Sequence, residues 1–94
     1  MHITSENEFE QWNRAVIVVV IGTRHDADMP QRELARRLHV TRNTVANMET
    51  GRRLIQATEL PIIARALGTS MDTLTRRIVL WYSTFSPSPI QPKL

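Results

Sequence analysis

From Phe9 onward, the positions Phe9, Trp12, Val16, Val19, Val20 and Thr23 recur at three- and four-residue steps, the spacing that lines one face of a helix. Inside that stretch sits RAVIVVVIGTR, with six β-branched residues in a row from Val16 to Ile21. Such side chains favour extended structure, so the run on its own reads as a buried strand. The helical spacing, however, begins before the run and continues through it, and nothing else in the chain looks like a strand partner. Ser5 followed by Glu8 forms a capping box. The pattern therefore predicts a helix from about Ser5 to about His25 that is greasy on more than one side.

Four shorter helices follow. After the loop Asp26 to Met29, Pro30-Gln31 opens QRELARRL, with Leu34, Ala35 and Leu38 on one face. Thr41 is a good N-cap for TRNTVANME, whose apolar face is Val45 and Met48, and Gly51 is suited to end it with positive φ. Thr58 to Leu67 predicts a fourth helix with Leu60, Ile63, Ala64 and Leu67 inward; Pro61 is tolerated because it falls in the first turn. Gly68 stops that helix and Ser70 caps a fifth, along which Met71, Leu74, Ile78, Trp81 and Phe85 follow 3-4-3-4 spacing. The last nine residues, SPSPIQPKL, hold three prolines and are expected to form a loose extended tail. The expected fold class is all-α, with five helices in one domain over residues 1–85 and a flexible Pro-rich tail over 86–94.

Charge adds an asymmetry. Residues 1–30 carry five acids and two arginines, whereas residues 31–77 carry nine arginines against four acids. Eleven of the twelve basic side chains are arginine, the planar fork that grips phosphate and guanine edges. This balance suggests a middle segment that meets a polyanion, with solvated surface charge as the plainer alternative. There is no cysteine, which excludes disulfides and thiolate metal sites and fits a reducing compartment. The longest apolar run, Ala15 to Ile21, is seven residues against roughly 20 for a membrane span. Glu6, Glu8 and Glu10 stand where a secretory leader would be positive. A soluble, cytoplasmic protein is expected.

The segment Gln31 to Thr50 has the layout of a helix-turn-helix, with the small residue Ala35 where two short helices cross closely. From Val16 to Leu74 the chain resembles the helix-turn-helix family of phage Cro proteins and repressors, also called the xenobiotic-response-element family. The resemblance rests on Gln31, Leu34-Ala35, Thr41, Val45, Glu49-x-Gly51, Ile63-Ala64-x-Ala66-Leu67-Gly68 and Asp72-x-Leu74, without a gap. It departs at His39, where the family has glycine in the turn, at Ile55, where proline is common, and in a first helix that begins well before the family pattern does. Histidine enters the left-handed region more readily than most residues, so the turn is expected to survive.

The resemblance implies that the third helix lies in the major groove of double-stranded DNA. The outward face of that helix agrees: Arg42, Asn43, Thr44 and Asn47 are all donors or acceptors, and arginine suits guanine while asparagine suits adenine. These four are the candidate base-reading residues. Gln31, Thr41, Arg52 and Arg53 fall at helix N-termini or in the following loop, positions that grip phosphates in the family. Arg24 and Glu49 occupy positions that form an ion pair in several repressors, with two independent surface charges as the alternative.

All five aromatic residues, Phe9, Trp12, Trp81, Tyr82 and Phe85, lie outside the helix-turn-helix, on the parts of the first and last helices that exceed the minimal domain. The expected dimer interface is Trp12, Ile17, Ile21, Ile78, Trp81, Tyr82 and Phe85, with packing of the two extensions inside one chain as the alternative. The function these features suggest is sequence-specific transcriptional regulation, as a repressor of phage, restriction-controller or mobile-element type that binds an inverted-repeat operator as a homodimer. An antitoxin that also regulates its own operon is the alternative, with a toxin protein as partner. Enzymatic activity is not expected, because there is no nucleophile–base pair, metal-ligand cluster or glycine-rich phosphate loop. Three scattered histidines, His2, His25 and His39, suggest no metal and no cofactor.

Overall fold

The computed structural model describes residues 6–85, with side chains from Glu8 onward. The Ser5 half of the expected capping box and the expected tail over 86–94 lie outside the described residues. Within them the chain is all-helical: α1 (Glu6–Asp26), α2 (Gln31–Leu38), α3 (Arg42–Thr50), α4 (Leu60–Ala66, preceded by a single 3-10 turn, Ala57–Glu59) and α5 (Met71–Phe85).

The β-branched run is helical throughout, because its spacing buries one face. Ala15, Val19, Val20 and Thr23 are buried, Val16 packs against the core, and Val18 is exposed. Leu34, Ile63, Leu74, Val20 and Val45, one from each of the five helices, are the largest fully buried side chains. Burying side chains of this size contributes roughly 1.5–3 kcal/mol each, so the five together tie all the helices to one centre.

Local chemistry sets the boundaries. The carbonyl of Pro30 accepts from the N–H groups of Glu33 and Leu34 (3.0 and 3.2 Å), starting α2. His39 ends it at φ 58°, ψ 40°, with its N–H bonded to the Arg36 carbonyl (3.2 Å). Thr41 Oγ1 caps α3 by accepting from the Thr44 N–H at 3.2 Å, and Gly51 closes α3 at φ 83°. Gly68 (φ 78°) ends the α4 segment, and Ser70 Oγ accepts from the Thr73 N–H at 3.0 Å to cap α5.

One expectation needs correcting. The fourth helix does not run as a uniform α-helix from Thr58: it enters through the 3-10 turn, with the Glu59 N–H bonded to the Gln56 carbonyl at 2.9 Å. Pro61 has no N–H to complete an α turn with Ala57, so the tighter turn forms instead. The inner face of α5 is Leu74, Ile78 and Tyr82, whereas Met71 and Phe85 are exposed. Tyr82 is buried because Trp12 meets it: the rings stack with centroids 3.6 Å apart and planes within 4°. The first and last helices thus pack along each other inside one chain.

Candidate nucleic-acid interface

The geometry of the site begins with Arg24, on the last turn of α1. Its Nε and Nη2 donate to the two carboxylate oxygens of Glu49 on α3, at 2.7 and 2.9 Å. Nη1 donates to the Met29 carbonyl at 2.8 Å, in the loop before α2. Gln31, the first residue of α2, donates from Nε2 to Glu49 Oε1 at 2.8 Å. Both charged side chains are nearly buried, at 9% and 7% exposure. A desolvated pair of this kind adds little net stability, but bidentate geometry fixes direction. Here it sets the angle at which α3 leaves the body of the domain.

Outward from this clamp, Arg42 and Asn43 are exposed, and Thr44 and Asn47 are half-buried. Arg42, Asn43 and Asn47 have no side-chain partner among the described residues, which leaves their donors and acceptors available. Thr44 is engaged locally, its Oγ1 3.0 Å from that of Thr41. The four candidate readers therefore share one face at the N-terminal half of α3, and no large apolar side chain interrupts it.

The four candidate phosphate contacts divide. Thr41 and Arg52 are exposed, and Arg52 has no partner among the described residues. Gln31 is committed to Glu49, as described above. Arg53 is committed to Glu59: Nη2 and Nη1 donate to its two oxygens at 2.6 and 3.2 Å. That contact, with the Gln56 N–H donating to Glu59 Oε1 at 2.9 Å, holds the Glu59 carboxyl below its ordinary range, the Arg53 bond being the larger cause. Arg53 thus braces the loop after α3 against the start of α4. Arg32 was not anticipated. It is exposed and, with Arg42, lines a shallow notch at the α2 N-terminus; only its place beside Gln31 hints at this in the sequence. Also in that notch, Glu33 accepts from Arg36 and Arg37, which lower its pKa to about 2.

The residues expected at a subunit interface also divide. Ile78 and Tyr82 belong to the core of the same chain, at 5% and 7% exposure. Trp12 is taken up by its stack on Tyr82, whose Oη lies 3.5 Å from Gln11 Oε1. Ile17 turns toward α3, where a methyl added at Gly51 would sit 3.5 Å from its Cδ1. Ile21 is half-buried. Phe85 is 62% exposed, its ring centroid 5.3 Å from that of Trp81, which is half-buried against the core, and Leu80, absent from the expected set, is 67% exposed. With Val18, Gly22 and Thr23 these line a groove of about 490 Å³ between α1 and α5.

Two short helices crossing at a small residue, with the second held by a buried ion pair and polar along its outer face, define a DNA-binding helix-turn-helix. The chain belongs to that family, in its Cro/C1-type form: the family pattern, described as helix-turn-helix, matches residues 24–74, more than half of the 94. It is a DNA-binding transcription regulator of helix-turn-helix type. Two crystal structures of the clp gene regulator ClgR from Corynebacterium glutamicum share the fold. One superposes with a TM-score of 0.69 at 22% identity over 77% of each chain. The other gives 0.69 at 21% identity over 82% of this chain and 96% of that one. No curated protein sequence matches. Among the described residues, no helix is long and apolar enough to cross a membrane.

Proposed function

We propose that this protein is a sequence-specific transcriptional repressor that binds an inverted-repeat operator as a homodimer, with one α3 in each of two successive major grooves. One observation carries the reading: Arg42, Asn43 and Asn47 stand on an open face with no side-chain partner among the described residues, while the clamp beneath them holds α3 rigidly. Unpartnered polar groups on a pre-positioned helix lose little on binding and can be spent on base edges. Arg52 and Arg32, also unpartnered, supply phosphate contacts on either side. A single unit of this size buries a small interface on DNA, and two units spaced about 34 Å apart read a longer site.

The test is binding to the DNA upstream of the chain's own gene, followed by alanine substitution. Arg42→Ala and Asn47→Ala should each lose discrimination at particular base pairs, by about 1–3 kcal/mol. Arg52→Ala should weaken all sequences alike and lower the salt slope by about one. If Arg42, Asn43 and Asn47 can all become alanine with operator affinity unchanged, α3 does not read the operator.

A further inference from the structure

The groove between α1 and α5 has apolar walls and one charged end. Leu80 and Phe85 are 67% and 62% exposed, and Val18 and Trp81 stand beside them. Asp26 and Arg77 line the same groove. The two helices run antiparallel: Trp12 stacks on Tyr82, and the Arg77 guanidinium donates from Nη1 to Thr23 Oγ1 at 3.2 Å. Asp26 and Arg77 therefore mark one end of the groove, and Val18 and Phe85 lie toward the other.

Among the described residues, neither charge at that end has an oppositely charged partner. Among the described residues the Asp26 side chain makes no hydrogen bond or ion pair, and the Arg77 side chain has only the Thr23 hydroxyl. Asp26 is moreover the last residue of α1, where a helix carries partial negative charge and an acid is unfavourable. A cation placed there would relieve it. Arg77 of the same chain lines the same groove and forms no ion pair with Asp26.

Symmetry decides which cation. Two copies can lay these grooves face to face in two ways. If the two-fold axis crosses the groove, the copies point in opposite directions, and their helix-turn-helix units end up at opposite ends of the dimer. If the axis runs along the groove, both copies point the same way. Arg24 and Gln31 fix the helix-turn-helix to the Asp26 end of α1, so only the second arrangement presents both α3 helices to one face of a duplex. In that arrangement each α1 lies over the partner's α5. Val18 then meets the partner's Leu80–Phe85 surface, and Asp26 meets the partner's Arg77.

We infer that a second copy of this chain occupies the α1/α5 groove with its two-fold axis along it, and that reciprocal Asp26–Arg77 pairs between copies lock the end nearest the helix-turn-helix units. This rests on the homodimer reading given above and adds the axis and the contacts to it. Apolar burial supplies association, and the charge pairs fix register, since like charges placed opposite one another are strongly disfavoured.

The experiment uses sedimentation of the full chain at micromolar concentration, with thermal melts to verify folding. Asp26→Arg places two arginines opposite each other in a homodimer, and Arg77→Glu places two acids. Each variant alone should dissociate on the order of tenfold or more readily than the unmodified chain. Mixing the two should restore dimers, because every cross-copy contact in the heterodimer then joins opposite charges. Rescue on mixing depends on contacts between copies, so it is independent of any local cost of losing the Arg77–Thr23 bond. Homodimers of Asp26→Arg as tight as the unmodified chain, or no rescue on mixing, would overturn the arrangement while leaving dimerisation itself intact. An unmodified chain that sediments as a monomer, and stays one on operator DNA, removes the dimer reading and this inference together.

Discussion

Arg24 shows how much one side chain determines here. Its guanidinium reaches α3 and the loop before α2 simultaneously, so removing it leaves Glu49 buried beside Gln31 alone. Breaking one half of a buried pair costs about 3–5 kcal/mol, largely from the stranded charge. Arg24→Met and Glu49→Leu should therefore each be strongly destabilising in urea unfolding. The double variant should cost much less than their sum, since no charge is left behind. Additivity within about 0.5 kcal/mol, as for independent sites, would refute the coupling. The Arg53–Glu59 contact behaves differently because it is partly open to solvent, at 41% and 28% exposure. Folding lowers the Glu59 pKa, so its contribution is present above the ordinary carboxylate range and is lost as the pH falls through the lowered value. At neutral pH Glu59→Gln should cost up to about 1 kcal/mol, and the difference from the unmodified chain should shrink toward pH 3. A difference that stays constant over that range would show that the carboxylate charge is not what Arg53 holds.

Element ends are where the sequence speaks most plainly. Thr41, Gly51, Gly68 and Ser70 each have a side chain or a backbone freedom suited to one terminal conformation, and each occupies it. His39 adopts φ 58° in the turn, a region where a non-glycine residue is strained but histidine less so than most. The split in the fourth helix was less legible, because proline in a first turn is compatible with either helix type. The buried face of α5 is not legible for a related reason: a strict 3-4 stripe extends to Phe85, yet the stripe says nothing about where the neighbouring helix ends its contact. Trp12 supplies that information from 70 residues away, and only the fold brings it to Tyr82. Gly22 invites a test at this scale. It sits inside α1 with open space around its Cα, where nothing lies within 4 Å of an added Cβ. Gly22→Ala should raise stability by about 0.5–1 kcal/mol through helix preference alone, read as a higher urea midpoint at unchanged slope. A lower midpoint would mean that the helix needs the glycine for a reason its local surroundings do not reveal.

At the scale of the whole molecule, the apolar residues beyond the helix-turn-helix serve two purposes that their spacing does not separate. Trp12, Ile78 and Tyr82 are spent on joining α1 to α5, whereas Val18, Leu80 and Phe85 form the wall of an open groove, and Trp81 belongs to both, packing against the core and lining the groove. Leu80 is not legible as part of that wall, because its sequence neighbours Arg76, Arg77 and Thr84 make that side of α5 look like an ordinary solvated face. The division implies that stability and assembly can be altered independently. Ile78→Ala empties a buried site and should cost about 2–5 kcal/mol in unfolding. Leu80→Ser with Phe85→Ser changes side chains already more than half exposed, so unfolding at dilute monomer concentration should shift by about 0.5 kcal/mol or less. The same pair should weaken self-association and, through it, operator binding, because each monomer would then bear its own association cost. Chemical denaturation at two protein concentrations separates the effects: a dimer gains stability with concentration, and the Leu80→Ser/Phe85→Ser chain should lose that dependence while keeping its fold. If instead the double serine chain unfolds as readily as Ile78→Ala, the groove wall belongs to the core and the division drawn here is wrong.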